Sequence, residues 1–180
     1  MNRYFKNESV SLRAMEAEDV ELLYEWENEE ESWKVSQTIA PFSKYILALY
    51  IKNSDKDIYE NKQLRLIIDT PDGKSVGAID LFDFDPFHLR AGIGLLIHNK
   101  EDRLKGYASA ALELIISYSF RKLGMHQLWA NVNSNNESSL KLFEKHGFKI
   151  CGNKQQWLKT ETGWCDEYTL QLINPEQIES

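Results

Sequence analysis

Apolar positions change period several times along the 180 residues, and each change predicts an element. Val10 to Leu12 reads as a short strand. Val20, Leu23, Tyr24 and Glu27 follow at helical spacing and predict a helix from Glu18 to Glu27, whereas the polar stretch 28–40 predicts loop. Pro41 suits a helix start, and Tyr45, Ala48, Leu49 and Lys52 carry a helical face to the polar residues 53–57. Leu64 to Asp69 and Val76 to Phe84 then read as two strands of a hairpin turning on Pro71-Asp72-Gly73. Leu89 to Ile97 is almost continuously apolar, the mark of a central strand. The clearest helix runs from Gly106 to Leu123, with Ala108, Ala111, Leu112, Ile115 and Tyr118 on one stripe and Gly124 to end it. A strand from His126 to Val132, a helix from Asn136 to His146 and two closing strands, Phe148 to Leu158 and Trp164 to Ile173, complete the pattern.

Hairpins at both ends enclosing a strand–helix–strand–helix run describe a mixed α/β sheet with helices on its faces. The order does not fit a doubly wound nucleotide fold, and no Gly-x-Gly-x-x-Gly follows the first strand. Length and the absence of any linker-like stretch make residues 1–180 one expected domain. With 42% hydrophobic residues and 12% aromatic ones, the chain has what a packed core requires. Its apolar runs are too short to span a bilayer, and residues 1–8 lack an apolar signal core, so no membrane association and a cytoplasmic location are expected. Cys151 and Cys165 have neither disulfide nor metal-ligand spacing, so no metal is expected. A net charge of −7 argues against nucleic acid as partner, and the cluster Glu25, Glu27, Glu29, Glu30 and Glu31 fits either a solvated helix end or a site for a cationic small molecule.

Candidate chemistry begins where the strand ending at Ile97 gives way to Arg103-Leu104-Lys105-Gly106-Tyr107-Ala108 and then to the long helix. Backbone N–H groups at such a helix start face whatever lies above them, with Gly permitting close approach and Arg103 and Lys105 adding charge; the arrangement suits a pyrophosphate. One strand downstream stands Asn136-Glu137-Ser138-Ser139-Leu140-Lys141-Leu142-Phe143-Glu144-Lys145-His146-Gly147-Phe148. Together these resemble the two signatures of the Gcn5-related N-acetyltransferase (GNAT) superfamily, Arg/Gln-x-x-Gly-x-Gly/Ala and Asn-x-x-Ala/Ser-x-x-Leu-Tyr/Phe-x-Lys-x-Gly-Phe. Ser11-Leu12-Arg13 with Glu18-Asp19 resembles the family's opening, and Arg90-Ala91-Gly92-Ile93-Gly94 resembles the branch of ribosomal-protein N-terminal and polyamine N-acetyltransferases.

The resemblance implies a mostly antiparallel sheet of about seven strands with helices on both faces and a splayed parallel pair holding acetyl-coenzyme A. It implies a cofactor site at Leu96, Ile97, His98, Arg103, Leu104, Lys105, Gly106, Tyr107, Ala108, Asn136, Ser139, Phe143 and Lys145. The reaction implied is direct attack of a primary amine on the thioester, the acceptor being a polyamine-like small molecule or a protein N-terminal amine. A dimer is common among such proteins. The chain departs from the family at Phe143, where many members have a proton-donating Tyr, and at Gly92, where many have a Glu that serves as base. Asp83 and His88, with Asp85, are weak candidate substitutes, set against a surface or turn-forming role for each. Trp26, Glu27, Glu30 and Trp33 are candidates for the acceptor pocket, as cation-binding aromatics and carboxylates or as packing. Because Phe143 and Gly92 both lack proton-transfer chemistry, a non-catalytic acetyl-coenzyme A sensing module stands as the alternative function.

Overall fold

The structure, a computed structural model, describes residues 4–177. Residues 1–3 and 178–180, the ends of the expected 1–180 domain, lie outside the described residues. One seven-stranded sheet runs in the order β1-β2-β3-β4-β5-β7-β6, formed by β1 (Ser11–Arg13), β2 (Leu64–Asp69), β3 (Ser75–Asp85), β4 (Arg90–Ile97), β5 (Gln127–Asn133), β6 (Lys149–Thr160) and β7 (Gly163–Ile173). Every neighbouring pair is antiparallel except β4 with β5. This is the mixed sheet that the hydrophobic periods imply, with the apolar β4 at its centre.

Alternation along the strands builds two cores. Leu66, Ile68, Ile79 and Leu81 point to one face, where they meet Ala111, Leu112 and Ile115 of α5 (Tyr107–Arg121). Ile67 and Ala78, Cα partners across β2 and β3, point to the other, against Leu23 and Trp26 of α1 (Val20–Glu27) and Leu47 and Ile51 of α3 (Lys44–Asn53). The opening Leu-Arg and Glu-Asp residues tie this second layer to the sheet. Arg13 grips Asp19 with Nη1 and Nη2 at 2.7 and 2.9 Å and Asp69 with Nε at 2.7 Å.

Two expectations need correction, and one element is added. The stretch 28–40 is not all loop, for it contains α2 (Glu30–Ser36), whose glutamates and Lys34 are good helix formers and whose Ser32 is buried. Helix α3 starts at Lys44 rather than at Pro41, because Ser43 accepts a hydrogen bond from the Ile46 N–H and caps it. A single turn, α4 (Ile58–Asn61), capped by Asp57, follows the polar residues 53–57 and buries Ile58.

Gly77 fixes how closely β3 and β4 approach at the end where β4 leaves the sheet. A Cβ there would overlap the Leu96 carbonyl oxygen and lie 3.0 Å from the Ile97 side chain. Gly77→Ala is therefore expected to destabilise the protein by about 1–3 kcal/mol, the usual cost of overpacking, and to displace the Leu96–Ile97 segment. Thermal melts and acetyl-coenzyme A titration would check both; an unchanged melting temperature would show that the strands yield freely.

Candidate functional site

Strands β4 and β5 share only three ladder positions, Arg90 with Gln127, Ala91 with Leu128 and Gly92 with Trp129. Beyond these they diverge, so the β5-facing edge of β4 has no strand partner from Ile93 onward. Into the gap opens a cleft of about 610 Å³, bordered by the end of β4, the loop before α5, and α6 (Glu137–Lys145).

The loop reaches α5 through two left-handed residues, Leu104 at φ 63° and Gly106 at φ 87°. Gly106 caps the helix without any side chain, and no acidic residue occupies the first turn, so the opening N–H groups and the positive end of the helix dipole face the cleft unopposed. The basic side chains are spent elsewhere. Arg103 turns inward, with Nε donating to the Ile97 carbonyl at 3.0 Å and Nη2 to that of His98 at 2.8 Å, and it also meets Glu31 at 3.4 Å. Lys105 pairs with buried Asp102 at 3.1 Å, whose other oxygen holds Lys74 at 2.6 Å. Charge on Arg103 and Lys105 thus braces the loop from within.

Of the residues singled out for the cofactor, Leu96, Ile97, Arg103, Leu104, Gly106, Tyr107, Ala108, Asn136 and Ser139 border this cleft. Asn136 also caps α6, its Oδ1 accepting from the Ser139 N–H at 3.2 Å. Lys105 and Lys145 do not border it, although Lys145 donates to the Oγ of Ser109, a cleft residue that also lies 2.8 Å from His146 Nε2. The donor set suits a long ligand with a phosphate-bearing end: unopposed helix N–H groups at one side, an open strand edge along the middle, and apolar Leu95 and Leu142 between.

His98 and Phe143 border a second, smaller cavity of about 240 Å³ on the α1 side of the sheet, which shares Leu95, Leu96, Asn136 and Ser139 with the first. Phe143 is packed edge-on against Phe148, with centroids 5.0 Å apart, and carries no hydroxyl. Of the acceptor candidates only Glu27 borders this cavity. Trp26 is buried and stacked on His98, with ring centroids 4.2 Å apart and planes 10° from parallel. Trp33 donates Nε1–H to the Glu27 carbonyl, and exposed Glu30 faces Lys34. The turn into α2 carries these side chains away from the cavity.

Asp83 and His88 stand at the opposite end of β4, in the hairpin from β3, with neither bordering the cleft or the second cavity. Along β4 that end lies roughly 23 Å from Ile97. Asp85 accepts from the Phe87 and His88 N–H groups at 3.1 and 2.9 Å and shapes the turn.

Residues that periodicity did not single out complete the second cavity. Arg65 of β2 reaches Glu27 with Nη1 at 2.6 Å and Asp80 of β3 with Nε at 2.8 Å, and all three border it. Burial opposes the charge on Arg65, but Asp80, Tyr50 and Glu27 outweigh it and hold the guanidinium above its ordinary pKa. A charged residue flanked by apolar ones within a strand was the available signal, at Arg65 in Leu64–Asp69 and at Asp80 in Ser75–Asp85.

Among the described residues no His, Cys, Asp and Glu come together as a metal-binding group, and no helix is long and apolar enough to cross a membrane. A family model, described as an acetyltransferase (GNAT) domain, matches residues 9–149. Spermidine N(1)-acetyltransferase of Escherichia coli K12 is 27% identical over 146 residues, covering 80% of this chain and 75% of the relative. The crystal structure of spermidine N-acetyltransferase from Vibrio cholerae in complex with CoA and spermine superposes with a TM-score of 0.83 at 20% identity, over 93% of this chain and 96% of that one. A dodecameric structure of the Vibrio cholerae protein gives 0.78 at 21% identity, over 96% and 98%.

Burial, reinforced by the positive charges of Arg65 and Arg103, pushes His98 down to about 3. The unfolded chain takes up this proton near the ordinary value of 6.5, so between the two pH values the unfolded state holds more protons and acid removes stability. Replacing His98 with Asn is expected to flatten the fall in melting temperature between about pH 6.5 and 5, above the range where most carboxylates titrate. An unaltered slope in the variant would assign the acid sensitivity elsewhere.

Proposed function

The chain belongs to the acetyltransferase (GNAT) family, and on that premise we propose that its acceptor is a polyamine-like small molecule, acetylated on a primary amine. The protein is an acetyl-coenzyme A dependent N-acetyltransferase; the comparisons lend nothing to a non-catalytic sensing module. The observation that carries the acceptor reading is the second cavity, where the carboxylates of Glu27 and Asp80 face the single guanidinium of Arg65 beside the cofactor cleft. A surplus carboxylate in a partly desolvated pocket favours a cationic nitrogen. The spermidine acetyltransferases among the relatives support the same class. Multimeric assembly of one of them makes self-association of this chain part of the proposal.

In this reading the cofactor supplies an activated acetyl thioester. The helix α5 N-terminus holds the phosphate-bearing end, Arg103 keeps that loop against the end of β4, and the open β4 edge aligns the rest. Phe143, in the wall of the second cavity, excludes water there and transfers no proton. A thiol whose pKa is about 8.5 departs as the thiolate without a dedicated acid. His98, neutral at physiological pH, carries no charge that would repel the acceptor ammonium.

Thiol titration of released coenzyme A, with acetyl-coenzyme A and a panel of spermidine, spermine, aminoglycosides and short ribosomal-protein N-terminal peptides, tests the acceptor. Turnover is expected to be fastest with the polyamines; turnover of peptides alone would replace this reading with an N-terminal one. For the cofactor site, Gly106→Trp, which forces a bulky residue into a left-handed conformation at the helix start, is expected to raise the KM for acetyl-coenzyme A more than about tenfold. Parental KM in that variant would remove the loop from the binding site.

A further inference from the structure

Strand β4 cannot present a carboxylate to the acceptor at position 92. A Cβ on Gly92 would lie 2.6 Å from two atoms of the Phe82 ring and 2.9 Å from the Trp129 ring. Those two rings meet edge to face, with centroids 5.1 Å apart, and fill the space that a side chain there would need. Two residues on, Gly94 is also bare, and here the space is open: a Cβ would find only ordinary contacts, among them Asp80 Cβ at 3.8 Å and Asp80 Oδ2 at 4.0 Å.

Asp80 stands directly opposite Gly94 in the β3–β4 ladder. Its side chain shares the face of Ala78 and Phe82, which border the second cavity with it. With no side chain on Gly94, the Asp80 carboxyl takes the place over the β4 backbone that a residue of β4 would otherwise occupy. Its two oxygens differ. Oδ1 accepts from Arg65 Nε at 2.8 Å and Gln63 Nε2 at 3.2 Å. Oδ2 has no hydrogen-bond partner among the described residues, and it is not among the fully buried unpartnered atoms. Glu27, the other carboxylate of the cavity, is held by Arg65 Nη1 at 2.6 Å. Two carboxylates against one guanidinium leave one negative charge in excess; Glu27 Oε2, like Asp80 Oδ2, takes no hydrogen bond among the described residues, and the Asp80 oxygen is the one that stands beside the bare backbone of Gly94.

We propose that Asp80 is the acceptor-binding carboxylate of this enzyme: Oδ2 receives one ammonium group beside the bare backbone at Gly94, while Arg65 and Gln63 fix the carboxyl through Oδ1. The inference rests on the polyamine-like reading of the acceptor and names the residue that selects it. Arg65 sets the stoichiometry, because neutralising one of the two carboxylates leaves room for one cationic nitrogen, the rest of the molecule extending out of the cavity.

The test compares Asp80→Asn and Asp80→Glu with the parent in steady-state kinetics on spermidine, together with the KM for acetyl-coenzyme A and the melting temperature. Asp80→Asn preserves shape and leaves the Arg65–Glu27 pair. It is expected to lower kcat/KM for spermidine about 10- to 100-fold, as the loss of one charge-assisted hydrogen bond does, chiefly through KM. The KM for acetyl-coenzyme A is expected to stay within about twofold, and Asp80→Glu, which restores the charge, to recover part of the loss. Spermidine kinetics unchanged in Asp80→Asn would overturn the proposal. Equal damage to both substrates, or no recovery with Glu, would also overturn it, because the carboxyl would then serve only the fold. A parent that acetylates no polyamine at all would overturn the acceptor reading and this inference with it, whereas an active parent with an indifferent Asp80→Asn overturns this inference alone.

Discussion

A parallel pair of strands that stops pairing partway along imposes a requirement that the rest of the molecule answers. Backbone N–H and C=O groups in a sheet interior need partners, yet β4 runs on to Ile97 after its ladder with β5 ends at Gly92 and Trp129. Closing the gap with side chains would restore an ordinary sheet and erase the site. The fold keeps it open by covering it from two sides, with α5 starting at the tip of β4 and α6 following β5. The larger cleft and the second cavity are the two halves of that opening, and they meet at Leu95, Leu96, Asn136 and Ser139.

The two halves handle charge in opposite ways. Around the cleft, Arg103, Lys105, Lys74 and Lys100 each find a carboxylate or carbonyl within the protein. Around the cavity, one buried guanidinium is shared between two carboxylates, and a histidine is kept neutral by burial against Trp26. In the proposed reading, an anionic donor molecule and a cationic acceptor are thereby served within a few residues of one another on the same strand.

What could be read from the sequence was whatever local chemistry announces. The loop and helix start at Arg103 to Ala108, the Asn136 cap and the apolar β4 all depend on residues adjacent in the chain, and these stand where their spacing implies. Helix α2 escaped because its exposed glutamates lack an apolar stripe and it is held by single contacts, such as Trp33 to the Glu27 carbonyl. The second cavity escaped for a different reason. Glu27, Arg65 and Asp80 come from a helix and two strands, and only the β2–β3 register and the turn of α1 bring them together. Nor does the sequence reveal that Gly92 is required, since the ring that excludes a side chain there is Phe82, on another strand.

An anion site built from main-chain amides has no titratable group of its own. With Arg103 and Lys105 engaged inside the protein, main-chain amides are offered at the helix start, and an amide does not titrate. In the proposed reading the other substrate differs, because its nitrogen must lose a proton on the way to becoming an amide. The division also places evolutionary freedom unevenly. Loop side chains that do not hold its path can drift, while in the proposed reading recognition of the amine rests on individual carboxylates and changes with each one replaced.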